Sequence, residues 1–178
     1  DSHALSQPAF RSALEVLVAN DVHVFIAPDG EYTATPVISH AILSWNAGNA
    51  GSSQADGIII TPSHNPPRDG GFKYNPPHGG PAETAVTRWI ERRANEHLEA
   101  SNRAVQIMHY RAARHSSLVK VYDFTARYVD DLAEVLDMPA IAASGLSLGV
   151  DPLGGASLPL WEPIAQKYGL ALSVVNQE

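Results

Sequence analysis

Three isoleucines, Ile58 to Ile60, run into Thr61-Pro62 and end there. An unbroken apolar run of this kind marks a strand buried on both faces, and such strands belong to sheets packed between helices. The continuation, "SHNPPRDGGFKYNPPHGG", is stiff. Pro62, Pro66 and Pro67 each fix φ and lower the entropy lost on ordering. Asp69-Gly70-Gly71 is turn chemistry, and "GFKYN" (71–75) reads as a short strand running back past the loop. The stretch therefore predicts a strand, a rigid loop and a returning strand, with Ser63 held at the tip.

The flanks set the fold class. Apolar residues three and four apart predict a helix over 5–20, with Ser6 as its N-cap and Pro8 in its first turn. "VHVFIA" (22–27) predicts a strand, and 35–47 a helix opened by Thr35-Pro36, whose first residues read as a cap. Residues 55–60 form the buried strand. A helix is expected over 82–100, with Pro81 at its start and Glu83 in its first turn, and a longer helix over 118–137. Residues 101–117 lack a clean period and read as a connecting excursion. After Ser144-Gly145, "LSLGVD", "PLWEPIAQKYG" and "LALSVV" read strand, helix, strand. This alternation means α/β: a layered sheet flanked by helices, followed by the opening βαβ unit of a second, similar domain. The expected boundaries are 1–143 and 144–178.

Composition bounds the partners. The 178 residues are 44% hydrophobic, enough for a core. A formal charge of −7 argues against a nucleic-acid binder, which needs a positive face. There is no cysteine, which removes disulfides, thiolate nucleophiles and thiolate-bound zinc, and fits a reducing cytoplasm. No apolar run approaches the ~20 residues that span a bilayer, so no membrane partner is expected. The chain opens on Asp1 rather than Met and reads as a fragment or processed form.

A serine hydroxyl is a weak nucleophile and needs a base, a metal or a pre-loaded group. A protease-type triad does not fit, because there is no Gly-x-Ser-x-Gly elbow and a neighbouring His64 is badly placed to act as base for Ser63. Phosphoryl transfer fits better. A phosphoserine carries about two negative charges, which Lys73, His64, backbone N–H groups and a metal could offset by positioning and charge. Spacing alone leaves this reading level with a purely structural Pro-Gly loop.

The residues Thr61-Pro62-Ser63-His64-Asn65-Pro66, followed by Gly71-Phe72-Lys73, resemble the active-serine loop of the α-D-phosphohexomutase superfamily, in its bacterial phosphoglucomutase branch. The likeness continues through "KYNPPHGGPAET" and extends to "DSHALSQPAF", "YTATP" and "GVDPLGG". It implies interconversion of glucose 1-phosphate and glucose 6-phosphate through phosphorylated Ser63 and a glucose 1,6-bisphosphate intermediate. It implies Mg²⁺, bound to the Ser63 phosphate and to aspartates of an Asp-x-Asp-x-Asp loop. Lys73 would act as electrostatic clamp or general acid while Ser63 is loaded, and as base when it is empty. His64 would bind phosphate or orient the loop. The partner implied is a small hexose phosphate, and a homodimer is allowed. Related mutases acting on mannose or glucosamine phosphates, and a non-catalytic sugar-phosphate-binding module, are the alternatives.

The departures are mainly absences. No Asp-x-Asp-x-Asp loop is present; the nearest acidic pair, Asp130-Asp131, falls in an expected helix. The family's sugar-selecting and phosphate-clamping loops are missing as well. His3 stands where many members carry an arginine, and it cannot fork onto a phosphate as arginine does. The first domain is expected to lack its first strand, and this segment alone is expected to show no mutase turnover. The remaining assignments are structural. Asn65 braces the turn through bonds to backbone, and Gly154-Gly155 forms a turn. Arg88, Arg92 and Arg93, interleaved with Glu91 and Glu96, make an ion-paired solvent face. His23 and His40 show no metal spacing, and Trp45, Trp89 and Trp161 are core or interface anchors.

Overall fold

The computed structural model describes residues 1–49, 51 and 53–177. Helix α1 (Ser6–Ala19) leads to strand β1 (Val24–Ile26), helix α2 (Thr35–Gly48) and strand β2 (Gly57–Ile59). Strand β3 (Lys73–Asn75) and helix α3 (Thr84–Glu99) follow, then helix α4 (Tyr110–Arg114), strand β4 (Val119–Val121), helix α5 (Phe124–Asp131) and helix α6 (Met138–Ala143). Strand β5 (Leu148–Val150), helix α7 (Leu158–Tyr168) and strand β6 (Leu172–Val174) close the described chain. The α/β class and the final βαβ unit match the sequence reading.

The strands pair in twos. β1 lies parallel to β4 with Phe25 opposite Lys120, β2 lies antiparallel to β3 with Ile59 opposite Lys73, and β5 lies parallel to β6. Val24 N–H donates to Leu118 and Tyr122 N–H donates to Ile26 O, so these two residues of β1 face β4. Alternation along a strand then turns the Phe25 amide to the other edge. Tyr74 O accepts from Ala82 N–H, away from β2. That makes Ile58 and Tyr74 a pair without mutual hydrogen bonds, and the Ile58 amide faces outward from the hairpin. Phe25, Ile26, Ile58 and Ile59 line one cleft of about 520 Å³ between the two pairs.

Two apolar clusters support this frame. One joins Leu14 and Val18 of α1 to Ile26 and Ala113. The other joins Val37 of α2 and Val129 of α5 to Leu160 and Ile164 of α7.

Three local expectations are corrected. The helix over 118–137 is instead β4, α5, a short 3-10 turn at Leu132–Glu134 and α6. Val119-Lys120-Val121 has a β-branched, period-2 pattern and a waiting parallel partner in β1. Asp123 and Asp137 then cap new helices by accepting from Ala126 N–H and Ala140 N–H. Ser6 does not cap α1: the N-cap is Leu5, and the buried Ser6 hydroxyl donates to Ile60 O at 3.3 Å. Thr35 does not cap α2 either, because Ala34 is the N-cap and makes no side-chain capping bond; Glu83, expected in the first turn of α3, sits one residue earlier at its N-cap.

Candidate active site

β2 carries the apolar run into the buried Thr61, whose Oγ1 accepts a hydrogen bond from Ser63 N–H at 3.0 Å. Ser63 is exposed and its φ is +76°. A non-glycine residue held in such a region costs about 1–3 kcal/mol and persists only where its surroundings over-determine it. Here they do. Asp69 N–H donates to Pro66 O at 2.9 Å, and Asn65 Nδ2 donates to Asp69 Oδ2 at 3.3 Å. From outside the loop, Ala4 N–H donates to Pro67 O at 3.1 Å and His3 Nε2 lies 2.9 Å from Asn65 O. A Cβ on Gly70 would sit 3.1 Å from Leu5 Cδ1. The returning strand passes so close that a Cβ on Gly71 would lie 2.3 Å from Thr61 O. Glycine is required there because backbone meets backbone.

The far side of the hairpin is pinned by two asparagines. Asn75, 3% exposed, donates to Gly79 O at 2.9 Å and to Ser39 Oγ at 3.2 Å. Asn46 of α2 donates to Ala55 O at 2.9 Å and Pro77 O at 2.8 Å, and accepts from Ala55 N–H at 2.7 Å. It thereby fixes both ends of the hairpin to one helix. The Tyr74 hydroxyl donates to Asp56 at 2.8 Å; burial first, and then this carboxylate, push its pKa up to about 12.

Ser63 Oγ and His64 Nδ1 are 3.5 Å apart, at the outer limit of hydrogen bonding and beyond the reach of efficient proton transfer. Lys73 enters at the start of β3, opposite Ile59 at the base of the loop, and is exposed. Its ammonium makes no hydrogen bond or ion pair among the described residues, which leaves it available to a ligand. Asn65 braces the turn through the Asp69 side chain rather than through backbone, a correction to its expected role. No three His, Asp or Glu side chains cluster to hold a metal among the described residues. Asp130 pairs with Lys167, and Asp131 pairs with His40 and Arg127, both at 3.1 Å. Gly154-Gly155 is a turn: Gly154 has φ +67° and Gly155 N–H donates to Pro152 O at 2.8 Å. Arg93 pairs with Glu96 on the exposed α3. Trp161 packs on the α7 core cluster, and Trp45 packs on Phe25 at 5.1 Å between ring centroids. Trp89 is 55% exposed and is no core anchor.

Sequence reasoning missed Asn46, Asn75 and the hold of His3 on the loop. Asn75, placed before Pro76-Pro77 and four residues ahead of Gly79, carried a turn signal. Asn46 sits in an unremarkable helical stretch and carried none.

The chain resembles known proteins along its whole length. Residues 1–101 match the family of phosphoglucomutase/phosphomannomutase, alpha/beta/alpha domain I. A phosphoglucomutase of Komagataeibacter xylinus is 51% identical over all of this chain and 32% of its own length. Phosphoglucomutase 1 of Saccharomyces cerevisiae is 29% identical over 89% of this chain and 30% of its own. The open form of parafusin, a phosphoglucomutase from Paramecium, superposes with a TM-score of 0.78 at 22% identity, over 100% of this chain and 35% of that one. The chain thus spans about a third of the length of these relatives. With the matched profile covering more than half of its residues and including the whole strained serine hairpin, the chain belongs to the phosphoglucomutase/phosphomannomutase family.

Proposed function

We propose that this chain is the phosphate-carrying part of a cytoplasmic phosphoglucomutase, and that Ser63 is the carrier. The observation that supports this best is the solvent-reachable Ser63 at φ +76°, in a loop stiffened from both sides. A phosphoryl group on Ser63 Oγ passes to a free hydroxyl of a hexose monophosphate. The Oγ–P bond breaks as the sugar O–P bond forms, and the sugar hydroxyl gives up its proton. The bound glucose 1,6-bisphosphate then turns and returns its other phosphate to Ser63. The loop supplies positioning, and Lys73 and His64 supply positive charge and protons around the transferring group.

Mg²⁺ is the cation this reading implies; it neutralises phosphoryl oxygens. Mg²⁺ demands near-octahedral oxygen coordination, and among the described residues no three His, Asp or Glu side chains group to complete such a shell beside Ser63. This segment alone therefore does not fit a complete magnesium site, and no step is derived through the ion. Residues 144–178 are taken as the start of a second α/β domain. The 51% identity to a bacterial phosphoglucomutase supports glucose over mannose or glucosamine phosphates.

The test is an assay of the full-length protein with glucose 1-phosphate and with mannose 1-phosphate, alongside Ser63→Ala. Turnover of the glucose ester that falls at least about a thousandfold in the variant is expected. A species heavier by about 80 Da should be seen in the wild type and be absent from the variant. Full turnover by Ser63→Ala would refute the reading.

A further inference from the structure

The residues just before α1 are placed for more than starting a helix. His3 is nearly enclosed, its side chain 11% exposed, and so is Asp1 at 10%. His3 Nδ1 lies 2.6 Å from Asp1 Oδ2, and Nε2 lies 2.9 Å from the carbonyl oxygen of Asn65. Both partners are acceptors. The carbonyl oxygen can only accept, so Nε2 donates to it, while the Asp1 carboxylate holds the ring at Nδ1. The next two residues extend the same contact. Ala4 N–H donates to Pro67 O at 3.1 Å, and Leu5 packs against Gly70. A strap of three consecutive residues thus runs along the serine loop. His3 is its one side-chain donor, and it grips the carbonyl two residues beyond Ser63.

We propose that His3 is a positioning residue for Ser63, oriented by Asp1 and acting through the Asn65 carbonyl. The proposal rests on the phosphoserine reading. The Ser63 backbone has a costly conformation that must be held from outside. Inside the loop the constraints are the Thr61 Oγ1 bond, the Pro66–Asp69 turn and the Asn65–Asp69 side-chain bond. None of these bonds engages the Asn65 carbonyl oxygen, which the imidazole does. Both ring nitrogens are spent on protein acceptors, so His3 does not replace an arginine as a phosphate ligand.

The experiment compares His3→Ala, His3→Gln and wild type in the full-length protein. Glutamine can place its amide nitrogen where Nε2 stands and so keep the bond to Asn65 O. His3→Ala is expected to lower kcat about tenfold to a hundredfold, with KM within about twofold, as for a loosened reacting group. His3→Gln is expected to recover most of that loss. Backbone hydrogen exchange supplies a readout independent of activity: residues 61–71 should exchange faster in His3→Ala, with α7 and β6 unchanged, and return towards wild type in His3→Gln. Unchanged kcat and exchange in His3→Ala would overturn the proposal, as would equal losses in both variants. If the wild type shows no mutase turnover but exchange responds as described, the functional reading falls and the tether stands.

Discussion

The serine hairpin and helix α3 adjoin in the chain and are held in opposite ways. Residues 57–80 contain little regular structure, yet Asn46, Ser39, His3, Ala4 and Leu5 all reach in from distant sequence to fix them. Helix α3 is fully regular over Thr84–Glu99, yet none of its residues is buried and, among the described residues, its ion pair is the internal Arg93–Glu96 contact. Regularity and rigidity are therefore separate properties here. The helix follows from local propensity and i,i+3 pairing, while the loop is rigid because separate elements converge on it.

That contrast can be broken or sharpened by substitution. The largest effect is expected at Gly71→Ala, where the new Cβ would meet the Thr61 carbonyl at 2.3 Å. The backbones must part, at about 1–3 kcal/mol, and denaturant unfolding should show the loss together with reduced turnover. A neutral Gly71→Ala would mean that the hairpin is slack. A smaller effect is expected at Tyr74→Phe, full below pH 10 and fading in alkaline solution. The folded state holds the Tyr74 proton up to about 12, against 10.0 without the fold. Its contribution is thus complete below pH 10 and lost as pH rises towards 12. Stability measured across that window should fall less steeply in Tyr74→Phe than in the wild type. The smallest effect is expected at Arg93→Ala on α3, within about 0.5 kcal/mol. A loss several times larger in thermal melting would show that α3 is held by more than its own residues.

The same contrast explains what was legible in the sequence. The isoleucine run, the Pro-Gly loop, α1, α2, α7 and the closing βαβ unit carry local signals, and they appear within a few residues of their expected limits. Ser63 was legible because strand, prolines and turn all point to one tip. The stretch 119–121 was misread because Val-Lys-Val suits a helix face as well as a strand, and the deciding partner, β1, is remote in sequence. Ser6 reads as a cap in any local window; the acceptor that takes its hydroxyl, Ile60 O, lies across the fold. The shape of the loop was visible in its local residues, whereas its supports were not, because they depend on partners remote in sequence, such as His3 for Asn65 O and Asn46 for Pro77 O.

Among the described residues no strand pairs with the second side of β1 or of β2, and this has a practical consequence. Phe25 and Ile58 offer main-chain donors and acceptors beside an apolar cleft, and such a border is a template for any extended peptide that drifts into it. Molecules of this segment handled in isolation should therefore adhere to one another through strand addition. Solubility would be limited by concentration well before heat became the problem, and the mutual repulsion of a −7 charge would be the main brake on clumping.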